Sequence, residues 1–90
     1  MEGRVEILKN GVWGTVCEDQ FRDIDAKVAC RQMGHMDGKA LFRGPTGSGK
    51  VWMDDVGCTG RENRLQDCKY ISDGDHFDCP GHQLDVSVRC

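Results

Sequence analysis

The sequence predicts a compact α+β domain stapled by disulfides, and three observations predict it. The chain has 90 residues, it carries six cysteines, and its apolar segments are short and punctuated by turn dipeptides. A chain of this length buries little more than about 60% of its unfolded surface, so the core alone gives marginal stability. Cys17, Cys30, Cys58, Cys68, Cys79 and Cys90 supply the missing support. Their wide spacing, with no C-x-x-C, fits three bridges made in an oxidising compartment. A zinc cluster would bring its cysteines in close pairs. Each bridge adds about 2.5–4.5 kcal/mol in the chain-entropy description, and spacing alone does not choose among the pairings.

The elements follow in order. "RVEILKNGVWGTVC" gives two β-rich segments around Asn10-Gly11, a dipeptide suited to a tight hairpin turn. "DIDAKVACRQMG" gives the main helix, with Asp23 as expected N-cap, Asp25 at the positive end of the dipole and Gly34 as the left-handed stop. Ala26, Ala29, Cys30 and Met33 share one face, while Ile24 and Val28 lie nearly opposite, so this helix should be covered on both sides. Asp37-Gly38 marks a turn, and "KALF" and "KVWM" read as short strands around a Gly-rich loop. "RENRLQDC" reads as one or two helical turns, "YISDGDHFDCPG" as a polar loop, and "LDVSVRC" as a closing strand.

Composition excludes several functions. The net charge is −3 with both signs interspersed, whereas a nucleic-acid or membrane-surface binder would show a basic cluster. No apolar run approaches the roughly 18 residues of a membrane span, and no signal-peptide pattern opens the chain. Met1 is therefore read as the start of an excised fragment. Residues 1–90 read as one domain without internal repeat or linker.

"GPTGSGK" matches G-x-x-x-x-G-K at Gly44, Gly49 and Lys50. A phosphate loop needs Ser or Thr next, to hold magnesium, and must open a helix whose N–H groups face the phosphates. Here Val51 follows, and "VWMDDV" is strand-like. The segment is expected to be a flexible loop with Lys50 in solvent, and no nucleotide is expected. No Ser or Cys stands in a nucleophile context, so no catalytic residue is assigned and the chain is not read as an enzyme. His35, His76 and His82 read as solvated loop histidines, and Asp73, Asp75 and Asp78 lack the order of an EF-hand.

Taken together, "EGRVEI", "GVWGTVCED", "AKVACRQMGH", "KVWMDDVGCTGRENRLQDC" and "VRC" resemble the scavenger receptor cysteine-rich (SRCR) domain over nearly the whole chain. Six rather than eight cysteines resemble its group A. The resemblance implies bridges Cys17–Cys79, Cys30–Cys90 and Cys58–Cys68. It also implies a curved antiparallel sheet cradling one main helix plus a short second helix, with the family's opening strand absent and the N-terminal edge open. Such domains are noncatalytic modules of secreted proteins or of membrane-protein ectodomains. They bind extracellular protein or polyanionic ligands, often with calcium.

By the same resemblance, Asp19, Asp54 and Asp78 would form one Ca²⁺ site, with Glu18, Asp55 and Asp85 as weaker candidates. A second family site should be weak or absent. "CPGHQLDVSVRC" is one residue longer than the pattern and places Leu84 where a Glu is usual, and a one-residue slip points Asp85 to the other face. Arg22 and Arg61 are the expected auxiliary cations for an anionic ligand. The alternative reading is a structural or regulatory accessory domain of a larger extracellular enzyme, such as a lysyl oxidase-like protein or a multidomain serine protease.

A core this small has one direct consequence. Intact-mass measurement on the folded domain should find no free thiol, and reduction should abolish cooperative unfolding. Two or more free cysteines in folded protein would contradict it.

Overall fold

The computed structural model describes residues 1–42, 44–72 and 82–90. The Asn10-Gly11 hairpin forms as expected: β2 (Glu6–Lys9) and β3 (Val12–Val16) pair antiparallel, with Lys9 opposite Val12. Asn10 and Gly11 take φ of 53° and 77°, the left-handed pair that lets a two-residue turn match the twist of its strands.

On its other side β3 meets β5 (Lys50–Gly57), and that pair is parallel, with Gly14 beside Lys50 and Thr15 beside Val51. β6 (Lys69–Ser72) completes a sheet of order β2-β3-β5-β6. A second, antiparallel sheet takes β1 (Glu2–Arg4), β7 (Ser87–Arg89) and β4 (Lys39–Leu41) in the order β1-β7-β4. The single antiparallel sheet expected from the resemblance is thus two sheets, one of them mixed. A parallel pair needs a long crossover, and the segment carrying the helix α1 (Asp23–Gln32) and β4 provides it. Val86 stitches the sheets together: its N–H donates to the Val16 carbonyl at 2.8 Å, and its carbonyl accepts from Val5 N–H at 3.0 Å. β1 lies at a sheet edge, hydrogen-bonded to β7 on one side.

The N-cap of α1 is Arg22, not Asp23. Asp25 reaches back to accept the Arg22 N–H at 2.7 Å, which satisfies the helix entry from within its first turn. Asp23 instead accepts the Ala40 N–H at 2.9 Å and so fastens the helix start to β4. The far end stops as expected at Gly34, φ 90°. Gly34 N–H donates to Arg31 O and His35 N–H to Cys30 O, both at 2.9 Å, the paired bonds of a Schellman stop. Ala26, Val28, Ala29 and Cys30 are all buried, so the helix is covered on both sides, by β4, β7 and the 3-10 turn Leu65–Asp67. Met33, assigned to a core face, is 46% exposed, because the helix has already ended. A Cβ at Gly38 would collide with the Ala26 carbonyl and Cys30 Sγ, so the turn after the helix presses directly on its backbone.

Tyr70–Ser72, read as loop, belong to β6, where Ile71 pairs with Asp54. The aromatic and β-branched side chains favour that pairing over the turn signals that follow. The remainder of the expected loop, 73–81, lies outside the described residues. Cys30–Cys90 and Cys58–Cys68 are bonded as the resemblance implied. Cys17 is bonded too, but the Cys17–Cys79 assignment lies outside the described residues.

Asp25 is fully buried. Besides the Arg22 backbone, it accepts the Cys58 N–H at 2.8 Å and the Arg22 Nε and Nη2 at 3.2 Å each. Arg22 Nη2 continues to the Cys58 carbonyl at 2.9 Å. Helix entry and the end of β5 are therefore held by one carboxylate. Asp25→Ala should cost about 2–3 kcal/mol, since it strands the Cys58 N–H and a helix-end donor. Chemical denaturation monitored by far-UV circular dichroism would measure it, and a change under about 0.5 kcal/mol, the level of an ordinary surface substitution, would refute the role.

Candidate cation site

Parallel pairing sends the ends of β3 and β5 to the same side of the sheet, and both ends are acidic. Past β3, Cys17 N–H donates to Met53 O at 2.9 Å, and the chain then turns, Phe21 N–H returning to Glu18 O at 2.9 Å. Buried Phe21 and the left-handed Gln20, φ 60°, set that turn. It leaves Asp19 beside β5.

A regular strand would send Asp54 and Asp55 to opposite faces. Asp55 instead has φ 50°, and the ladder with β6 shifts between Asp54 and Gly57. This bulge brings the neighbouring carboxylates together, and Asp54 Oδ1 accepts the Asp55 N–H at 2.9 Å. The result is a group of three: carboxylate oxygens of Asp19, Asp54 and Asp55 lie within 4.8 Å of one another. Asp54 is buried, Asp55 half-buried, and Asp19 reaches solvent, so the cluster opens outward.

Three convergent carboxylate oxygens are hard ligands of like charge. They repel one another unless a cation lies among them, and their donor set fits Ca²⁺, which fills the rest of its six to eight positions with carbonyls and water. Asp19 and Asp54 meet as the resemblance implied. Asp55, a weaker candidate by the resemblance, is the third member. Asp78 lies outside the described residues. Among the described residues Glu18 and Asp85 stand outside the group. Leu84, the departing position, gives its carbonyl to the Glu18 N–H at 2.6 Å, so the residue beside Glu18 brings no carboxylate.

Asp85 is buried beneath the Gly-rich loop, where it accepts the Gly47 N–H at 2.7 Å and meets His82 Nδ1 at 2.9 Å. His82 is not the solvated histidine expected. Its side chain is 17% exposed, with Nε2 3.0 Å from Gly49 O and Nδ1 3.2 Å from Thr15 Oγ1. The "GPTGSGK" loop is accordingly pinned rather than flexible, and it runs straight into β5, with no helix to face a phosphate. His35 is half-buried after the helix stop, and His76 lies outside the described residues. Arg22 is committed to Asp25 and Cys58 while its side chain remains 56% exposed, and Arg61 is exposed on the loop before the 3-10 turn. Cys58, Glu62 and Cys68 also gather, but the two sulfurs are bonded to each other, so no metal is held there.

The family profile described as "Scavenger receptor cysteine-rich domain" matches residues 1–90. The chain belongs to the scavenger receptor cysteine-rich family. The macrophage receptor MARCO of Mus musculus is 44% identical over 88 residues, 98% of this chain and 17% of that protein. Lysyl oxidase homolog 2 of Homo sapiens is 39% identical over 92 residues, 99% of this chain and 12% of that protein. The chain thus spans a small fraction of these relatives and matches the lysyl oxidase homologue over one SRCR-sized segment only. The crystal structure of the dimeric form of the SRCR domain of mouse MARCO superposes with a TM-score of 0.92 at 43% identity, over 100% of this chain and 86% of that one. The third SRCR domain of murine neurotrypsin gives 0.87 at 41%, over 99% and 84%.

Within this SRCR domain, Glu62 shows why the G-x-E-x-x-L-x-x-C run has its spacing. Its carboxylate accepts N–H bonds from Thr59 (3.0 and 3.1 Å) and Gly60 (3.0 Å), then Leu65 is fully buried and Cys68 closes on Cys58. The Thr59 N–H bonds, chief among these, pull the Glu62 pKa down from 4.5 to about 2. A lowered folded pKa means its stabilisation is complete above the unfolded value and is lost as pH falls through the folded one. The thermal-midpoint gap between wild type and Glu62→Gln should therefore be widest above pH 4.5 and close toward pH 2. A gap that stays constant across that window would show that the bonds do not depend on the charge.

Proposed function

We propose that this SRCR domain is a noncatalytic, extracellular ligand-binding module that holds Ca²⁺ at Asp19, Asp54 and Asp55 and uses it to recognise anionic or protein ligands. The observation that carries the reading is the convergence of three carboxylates at the shared end of β3 and β5, within 4.8 Å of one another. The cluster's outward opening leaves coordination positions for sulfate, phosphate or carboxylate groups of a ligand. The presence of the same domain in a macrophage receptor supports a recognition role. Exposed Arg61 and the outer part of Arg22 are the candidates for auxiliary contacts, and the same relatives support secretion or display as an ectodomain. No helix among the described residues is long and apolar enough to cross a membrane.

The match to lysyl oxidase homolog 2 favours a second reading, an accessory domain beside an enzyme. Calcium calorimetry tests the first. Asp54→Asn and Asp55→Asn should each weaken calcium binding by about tenfold or more, because each removes a full ligand charge from a crowded site. Asp85→Asn should leave calcium affinity within about twofold, although it destabilises the fold by loosening His82 and Gly47. Wild-type protein that binds no calcium at millimolar concentration would remove the cation from the proposal. Unchanged affinity in both Asp54→Asn and Asp55→Asn would remove these residues from it.

A further inference from the structure

Two chain segments frame the candidate cation site, residues 17–22 beyond β3 and residues 53–58 at the end of β5, each six residues long. They are tied to each other at both ends. The first tie is a backbone bond, Cys17 N–H to Met53 O at 2.9 Å. The second takes hold of both backbone groups of Cys58: Asp25 Oδ1 accepts its N–H at 2.8 Å, and Arg22 Nη2 donates to its carbonyl at 2.9 Å. Arg22 is joined to Asp25 in turn, through its own N–H at 2.7 Å and through Nε and Nη2 at 3.2 Å each. Asp19 lies between the two ties on one segment, and Asp54 and Asp55 lie between them on the other. The ladder to β6 passes over Asp55, pairing Asp54 with Ile71 and then Gly57 with Lys69. The bulge therefore depends on what holds the strand beyond it, and Cys58 is the next residue after Gly57.

We infer that Arg22 is a positioning residue for this site, fixing the separation of Asp19 from the Asp54–Asp55 bulge through Asp25 and the Cys58 carbonyl. This role rests on the proposed function for its ion, whereas the tie between the segments exists without the ion. Charge alone predicts the opposite effect. A guanidinium repels a nearby cation, so its removal would tighten calcium binding. Loss of the tie weakens binding, because the ion must then order its own ligands. Partners that orient metal ligands from outside are worth about 10–100-fold in affinity. The sign of the change separates the two effects.

Calcium calorimetry and amide hydrogen exchange test this together. Arg22→Met keeps the aliphatic stem without donors or charge, and should weaken calcium binding by about tenfold or more. Arg22→Lys keeps a cation beside Asp25 but lacks the planar fork that spans Asp25 and Cys58, and should lose about threefold or more. Buried Val88 lies in the other sheet. Val88→Ala destabilises the fold through a cavity and should keep calcium affinity within about twofold. In calcium-free protein, Arg22→Met should raise Asp55 N–H exchange by about tenfold, while Cys17 N–H, on the other tie, stays within about threefold. Calcium binding at or above wild-type strength in both Arg22 variants overturns the inference and leaves the cation site standing. Unchanged Asp55 exchange also overturns it, as does a calcium loss in Val88→Ala equal to that in Arg22→Met. Wild type that binds no calcium, with Asp55 exchange still raised by Arg22→Met, removes the cation and leaves Arg22 as the residue that positions the bulge.

Discussion

The parallel pairing of β3 with β5 is the constraint on which the rest of the molecule depends. Hairpin pairing would alternate strand ends, placing the residues after Val16 beside the start of the neighbouring strand. The parallel pair instead puts the acids after each strand at one end and Lys50 at the other. It also demands a crossover, and α1 with β4 is that crossover, packed on β7 of the second sheet. Helix, second sheet and both charged ends are consequences of one pairing choice.

Holding a long crossover in a domain this small falls to buried carboxylates as much as to the core. Asp25 clamps the helix entry to Cys58, and Asp85 with His82 clamps the Gly-rich loop to β3 and to the chain before β7. Asp25 accepts several N–H bonds, and Asp85 accepts the Gly47 N–H and lies against His82 Nδ1. Such partners are the condition under which a buried charge is tolerable. The Cys58–Cys68 bridge and Glu62 then fix the segment beyond Cys58. The polar groups specify where each connection lies, while Val16, Val28, Met53, Leu65 and Val86 exclude water between them.

Much of this was legible in the sequence wherever a local rule decides the outcome. Asn10-Gly11 and Gly34 require positive φ, and both adopt it. The two-faced apolar pattern of "DIDAKVACRQ" gave a helix buried on both sides. What local rules do not contain is partner choice. Asp23 satisfies every N-cap preference, but Ala40 N–H competes for its carboxylate, so Asp25 takes the cap's work. His82 looks like a loop histidine until Thr15, Gly49 and Asp85 surround it. The resemblance ranked Asp54 above Asp55, and nothing in "WMDDVG" announces the left-handed residue that brings the two together. The available hint was chemical: aspartate is among the few non-glycine residues that tolerate that region.

Asp55 also carries the clearest link between strain and site. A left-handed backbone costs a residue with a Cβ roughly 1 kcal/mol or more, a cost that glycine would avoid. Convergence with Asp19 and Asp54 adds charge repulsion at the same residue. Glycine at 55 would make the same bulge without either penalty, so the penalties attach to the carboxylate and not to the backbone shape. Strain and like charge concentrated at one position are what a binding site accepts, whereas a purely structural bulge would avoid both. Asp25 and Asp85 make the contrast: each is buried amid donors, without a positive φ and outside the acidic group. By that comparison, the bulge at Asp55 adds a third oxygen to the proposed cation site at the shared strand end, and Asp25 and Asp85 hold the chain that carries it.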